Sequence, residues 1–129
     1  MPDADPKPHR IRVRYCETDR MGVAHHGSYV AWFEEARTEF MRQKGQSYRE
    51  MEDGGRLLQV VDMSVRYRKS ITYDDQIDVY VGVLERKRAA LTLGYEVRRV
   101  DSGDLVATGS TRLACVDREG VIRRLPDGL

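Results

Sequence analysis

The sequence predicts an α+β domain, with one long helix lying on an antiparallel sheet. Three observations predict it. Apolar residues recur at helical spacing over one long stretch, from Tyr29 to Phe40. Past residue 56 the pattern changes to alternation and holds it through four long segments. The links "ERKR" and "DSGD" between the later segments leave room only for tight connections, so those strands are antiparallel neighbours.

The first ten residues, "MPDADPKPHR", are polar and proline-rich and lack the apolar run of a secretory signal. Residues 1–9 read as a flexible lead-in, and 10–129 as a single domain. In "RIRVRYC" (10–16), Ile11, Val13 and Tyr15 alternate with Arg10, Arg12 and Arg14, the pattern of a half-buried strand. Tyr29, Trp32, Phe33, Ala36 and Phe40 then form the apolar stripe of the long helix. Gly27 or Ser28 starts that helix, and Gly45 ends it. "SYRE" (47–50) has the Ser-x-x-Glu form of a capping box, so a short second helix runs to the "DGG" stop at 53–55.

The four strands follow. Met63, Val65 and Tyr67 share one face of the first of them. Ile77, Val79, Val81 and Val83 share a face of the second, and Leu91, Leu93, Tyr95 and Val97 a face of the third. "LVATGSTRLACVD" (105–117) is the fourth, with Gly109 read as a bulge. "GVIRRL" (120–125) extends that strand or tucks under it.

Composition narrows the function. A net charge of +1 with 33% charged residues gives no general electrostatic case for nucleic acid. No apolar run approaches a membrane span. Cys16 and Cys115 are far apart without metal-type spacing, which fits idle thiols in a reducing cytoplasm. A cytoplasmic protein is the expectation. A core of this size also gains from burial in an oligomer.

The chemistry concentrates in "RYCETDRMGVAHHGSYVAWFEEAR" (14–37). Glu17, Asp19, His25 and His26 crowd the turn before the long helix. Unpaired N–H groups at a helix start carry partial positive charge and suit a carbonyl oxygen that becomes an oxyanion. A carboxylate beside them can attack that carbonyl or activate a water. Each residue also has a plainer use. Asp19 can form a turn, His25 reads as solvated, Tyr15 as a strand residue, and Glu34, Glu35 and Glu39 as the polar side of the helix. Adjacent histidines without a further ligand motif do not make a metal site, and none is expected.

The ordered string from Tyr15 to Glu39, "Y-x-E-T-D-x-x-G-V-x-x-H-x-S-Y-V-x-x-F-E-x-A-R-T-E", resembles the signature of the 4-hydroxybenzoyl-CoA thioesterase family. Its nearest likeness is to the YbgC-like acyl-CoA thioesterase branch. "VRYRKSITYDDQIDV" and "ERKRAALTLGYEV" resemble later segments of the same family, so the likeness covers nearly all the chain after residue 10. It implies the hot-dog fold, an antiparallel β-sheet wrapped around one long central α-helix. It further implies homodimers or homotetramers with active sites at the dimer interface.

The activity implied is hydrolysis of an acyl-CoA to free acid and CoA, with no cofactor beyond the CoA of the substrate. The family's catalytic aspartate falls on Asp19, as nucleophile or general base; Glu17 stands where an aspartate is more frequent. The branch's histidine falls on His26 and its tyrosine on Tyr15, and a backbone N–H near His26 polarises the thioester carbonyl. CoA phosphates call for basic residues. Arg86, Lys87 and Arg88 lie in the turn that the family uses for the nucleotide end, and Arg66, Arg68 and Lys69 form a second cluster. The rival readings are a hot-dog dehydratase acting on acyl thioesters and a non-catalytic acyl-CoA-binding or regulatory subunit.

Overall fold

A computed structural model describes residues 7–129. The elements follow in the order β1 (His9–Arg12), α1 (Ser28–Gln43), α2 (Tyr48–Asp53), β2 (Leu57–Tyr67), β3 (Gln76–Arg86), β4 (Ala90–Arg99) and β5 (Leu105–Val116). Every strand pairing is antiparallel, and the order across the sheet is β1-β3-β4-β5-β2. β1 and β2 are therefore the two edges.

The stripe predicted for α1 is the face it buries. Tyr29, Trp32, Phe33, Ala36 and Phe40 are all buried, against Ile77, Val79, Leu91, Leu93, Tyr95 and Leu113 of the sheet. The Phe33 and Tyr95 rings stack with centroids 4.2 Å apart and planes 3° from parallel. One long helix on one face of a five-stranded antiparallel sheet is the hot-dog arrangement. At the start of α2 the Ser47 side chain accepts from the Glu50 N–H, as the capping box predicts. Gly45 (φ 82°) takes the left-handed conformation just past α1.

Several local expectations are corrected. β1 ends at Arg12, and the chain turns through a single 3₁₀ turn at Tyr15–Glu17, so Tyr15 leaves the core face and is 78% exposed. Gly109 is not a bulge. It stands in unbroken register between Val65 and Tyr95, and the register shifts lie at Val60/Asp62, Val83/Glu85 and Val97/Arg98. Glycine is needed at 109 for room: a Cβ there would sit 2.4 Å from Phe33 Cε2 and 2.7 Å from the Ser64 carbonyl oxygen.

Of the lead-in, residues 1–6 lie outside the described residues, whereas the Lys7 N–H donates to Gln43 Oε1 (2.9 Å) and β1 already begins at His9. The segment after β5 folds back, with Ile122 bridged to Val116 and Leu125 buried. Among the described residues no helix is long and apolar enough to cross a membrane.

Candidate active site

Glu17 anchors the loop between β1 and α1. Its carboxylate is buried and accepts from the Arg14 N–H (2.7 Å), the Arg14 guanidinium (3.3 Å) and Trp32 Nε1–H (2.9 Å). Its carbonyl accepts from the His25 N–H (3.0 Å) and the Ser28 hydroxyl (2.8 Å). One residue thus ties the 3₁₀ turn to the first two turns of α1. Burial alone would push the Glu17 carboxyl up, but those donors together hold it below the ordinary glutamate range. In sequence Glu17 is only a mild departure from a motif. Its partner Trp32 stands 15 residues away, so no local pattern exposes the pair.

Past Glu17 the loop doubles back. Thr18 bridges Ala24, the Asp19 N–H donates to the Val23 carbonyl (2.9 Å), and Gly22 (φ 79°) makes the left-handed turn. Asp19 Oδ1 accepts from the Met21 N–H (2.8 Å), while its second oxygen has no partner among the described residues. The turn-forming role and a free carboxylate oxygen coexist.

A second turn, residues 68–75, supports the loop from the sheet side. The Ala24 N–H donates to the Ile71 carbonyl (2.8 Å), and Val23 bridges Thr72. Asp75 holds this turn by accepting from the Thr72 N–H (2.8 Å) and from Arg99 Nη1 (2.8 Å); Arg99 Nη2 donates to the Ser70 carbonyl (2.7 Å).

Loop, turn and helix start enclose an open cleft of about 320 Å³ whose walls include Asp19, His25, His26, Tyr29, Tyr67 and Ile71. Tyr29 and Tyr67 meet edge to face at 5.1 Å, and the Tyr67 hydroxyl donates to the His26 carbonyl (3.3 Å). Burial, then the neighbouring Tyr67, push the Tyr29 phenol up to about 12, so it stays protonated through the working range. At the helix start the N–H groups of His26 and Gly27 have no acceptor among the described residues. These are consecutive donors, and His26 is the one of the two whose residue lines the cleft.

The other candidates are distributed unevenly. Arg68 and Lys69 line the cleft, and Lys69 also pairs with Asp104 at 3.1 Å. Arg66 lies outside the cleft lining, on β2 opposite Thr108. Arg86 ends β3 and Lys87 and Arg88 follow it, at the opposite end of the strand from the turn that borders the cleft. The Arg86 guanidinium is taken up by the Pro126 carbonyl (3.1 Å) and that of Leu129. Tyr15 does not line the cleft; its ring meets Tyr73 edge-on at 5.8 Å, and both are exposed. His25, expected to be solvated, is half-buried and lines the cleft. Tyr29 and Tyr67 were legible only as apolar periodicity. Among the described residues no cluster of His, Cys, Asp or Glu could hold a metal ion.

Comparisons with known proteins agree with this architecture. The chain is 38% identical to the DHNA-CoA thioesterase from Staphylococcus aureus, with a TM-score of 0.88 over 92% of this chain and 80% of that one. An Aquifex aeolicus protein of known structure is 36% identical, with a TM-score of 0.87 over 94% of each chain. The acyl-CoA thioesterase YbgC of Haemophilus influenzae is 32% identical over 108 residues, 83% of this chain and 78% of that protein. The family model described as the thioesterase-like superfamily matches residues 13–129, nearly the whole described chain, and the protein belongs to that superfamily.

Proposed function

We propose that this protein hydrolyses an acyl-CoA thioester to the free acid and CoA. The observation that carries the reading is the meeting in one cleft of Asp19, with an oxygen that has no partner among the described residues, and His26, whose N–H at the start of α1 is unpaired there, with the unpaired Gly27 N–H next along the chain. The amides receive the carbonyl oxygen as it becomes an oxyanion. Asp19 attacks the carbonyl or activates water, and His26 assists proton transfer. Arg68 and Lys69, on the same wall, offer positive charge to the CoA phosphates. Tyr15, whose ring packs edge-on against Tyr73, takes a positioning role for the loop that carries Asp19. The names of the Staphylococcus aureus and Haemophilus influenzae relatives, both CoA-thioester hydrolases, support the substrate class. The working unit is a homodimer, which covers the apolar edge beside the cleft.

Release of free thiol from butyryl-, benzoyl- and palmitoyl-CoA tests the reading. Wild type is expected to release thiol from at least one of them, and Asp19→Asn to lose about 100-fold or more in kcat while remaining folded. Binding of all three esters without thiol release by wild type would overturn the hydrolase reading. Full activity in Asp19→Asn would overturn its assignment.

A further inference from the structure

We propose that His25 is a second proton-transfer residue of this cleft, taking the proton from the water that releases the acid. The inference rests on the thioesterase reading and divides the labour within it. The Ser28 hydroxyl lies 2.8 Å from the Glu17 carbonyl oxygen and 3.2 Å from His25 Nε2. A carbonyl oxygen cannot donate, so the single hydroxyl proton of Ser28 points at Glu17. His25 Nε2 must therefore carry a hydrogen and donate it to Ser28. That hydrogen bond selects the tautomer and leaves Nδ1 as the acceptor of the neutral ring.

Nδ1 is also accessible. It has no partner among the described residues, yet no buried side-chain nitrogen or oxygen there lacks one, so Nδ1 is reached by solvent. Gly27 keeps that edge of the ring uncovered. Its φ is an ordinary −65°, so the backbone does not require glycine, but a Cβ would lie 3.2 Å from Nδ1 and 3.3 Å from Cε1. The backbone of His25 is fixed as well, through its N–H on the Glu17 carbonyl (3.0 Å). A base oriented by a third group is the arrangement that nucleophilic catalysis uses. The titratable and charged groups sharing this wall are Asp19, His26, Tyr29, Tyr67, Arg68 and Lys69.

With His25 as base for the water, Asp19 acts as the nucleophile. Its carboxylate displaces the CoA thiolate and holds the acyl group as an anhydride. Water then bonds to the acyl carbon, the acyl C–O bond to Asp19 breaks, and the electron pair returns to the carboxylate. The proton lost by the water goes to Nδ1 and is passed on to the thiolate or to solvent. No oxidant or reductant enters.

The test is rapid-mixing thiol release with whichever of butyryl-, benzoyl- and palmitoyl-CoA wild type turns over fastest. His25→Ala is expected to release a burst of about one thiol per site and then turn over about 100-fold more slowly than wild type. Added imidazole is expected to accelerate the slow phase, and mass spectrometry to find the acyl group on Asp19. Ser28→Ala, which frees the tautomer while keeping the ring, is expected to show the same burst with a steady rate about 10-fold down; it serves as the readout if His25→Ala does not fold. Unchanged turnover in the folded variant, or slow turnover without a burst, overturns this inference alone. A wild type that releases no thiol overturns the hydrolase reading and this inference with it.

Discussion

The Glu17 carboxylate is enclosed by donors from two elements, and that enclosure gives it a measurable pH signature. Its folded-state pKa lies below the ordinary value, so its contribution to stability is present above that value and is lost as pH falls through the folded one. Replacing it with glutamine keeps the shape and removes the charge on which Arg14 and Trp32 converge. Glu17→Gln should destabilise by about 1–3 kcal/mol near neutral pH, and urea titrations should show the gap to wild type closing in acid. A gap independent of pH would mean that the carboxylate is not ionised in the fold. Gly109 makes an independent prediction. Gly109→Ala drives a methyl group into Phe33 and the Ser64 carbonyl, and should destabilise by about 1–3 kcal/mol. Gly82→Ala, where a Cβ meets nothing within 4 Å, should not destabilise in the same urea titrations. What the sequence shows at this scale is the identity of chemistry-bearing residues rather than their surroundings. Asp19 and His26 stand out because a motif places them together. Glu17 and His25 do not, because burial and the Trp32 and Ser28 partners arise only once the helix has folded back on the loop.

Secondary elements were far more legible, since a stripe or an alternation is a local signal that packing then obeys. α1 buries the residues its spacing predicts, and the four long strands fall where the alternation puts them. Irregularities escaped this reading. A glycine in a strand can mark either a bulge or a close approach, and only the position of Phe33 decides between them. The turn between β2 and β3 shows how a long-range pair completes a local one. Arg99, from the end of β4, reaches both Asp75 and the Ser70 carbonyl. Burial alone would raise the Asp75 carboxyl, but the Thr72 N–H and Arg99 together hold it below the ordinary aspartate range. A lysine could keep the charge but not hold both acceptors in a planar fork. Arg99→Lys should therefore loosen residues 68–75 and raise their amide exchange, with a global loss of only about 1–2 kcal/mol. Because this turn carries Ser70 and Ile71 on the cleft wall, KM should rise more than kcat falls. Unchanged exchange in the turn would show that backbone pairing alone positions it.

At the scale of the whole molecule, the long β2 edge of the sheet is largely bare among the described residues. Among the described residues β2 pairs only with β5; the Tyr48 hydroxyl takes up the Leu58 N–H (3.3 Å) and carbonyl (3.4 Å), and the rest of the strand's outer side presents unpaired backbone groups. Val60, Val61 and Tyr67 on this strand are 45%, 55% and 49% exposed, and Val30 on α1 is 51% exposed. β2 carries neither lysine nor proline, the residues that discourage pairing at an edge. An antiparallel partner that fits such a strand is a second copy of itself related by a two-fold axis, an isologous contact. Tyr67 both lies on that edge and lines the cleft, so such a contact would bring the second copy up to the site. Light scattering should accordingly find a dimer, and Val61→Lys, at the exposed register shift in β2, should yield monomers with wild-type circular dichroism. Thiol release should fall with the dimer fraction as the variant is diluted if the second copy completes the cleft beside Tyr67. A monomeric Val61→Lys protein with undiminished kcat and KM would place the complete site within one chain, and dimerisation would then serve only to cover the edge.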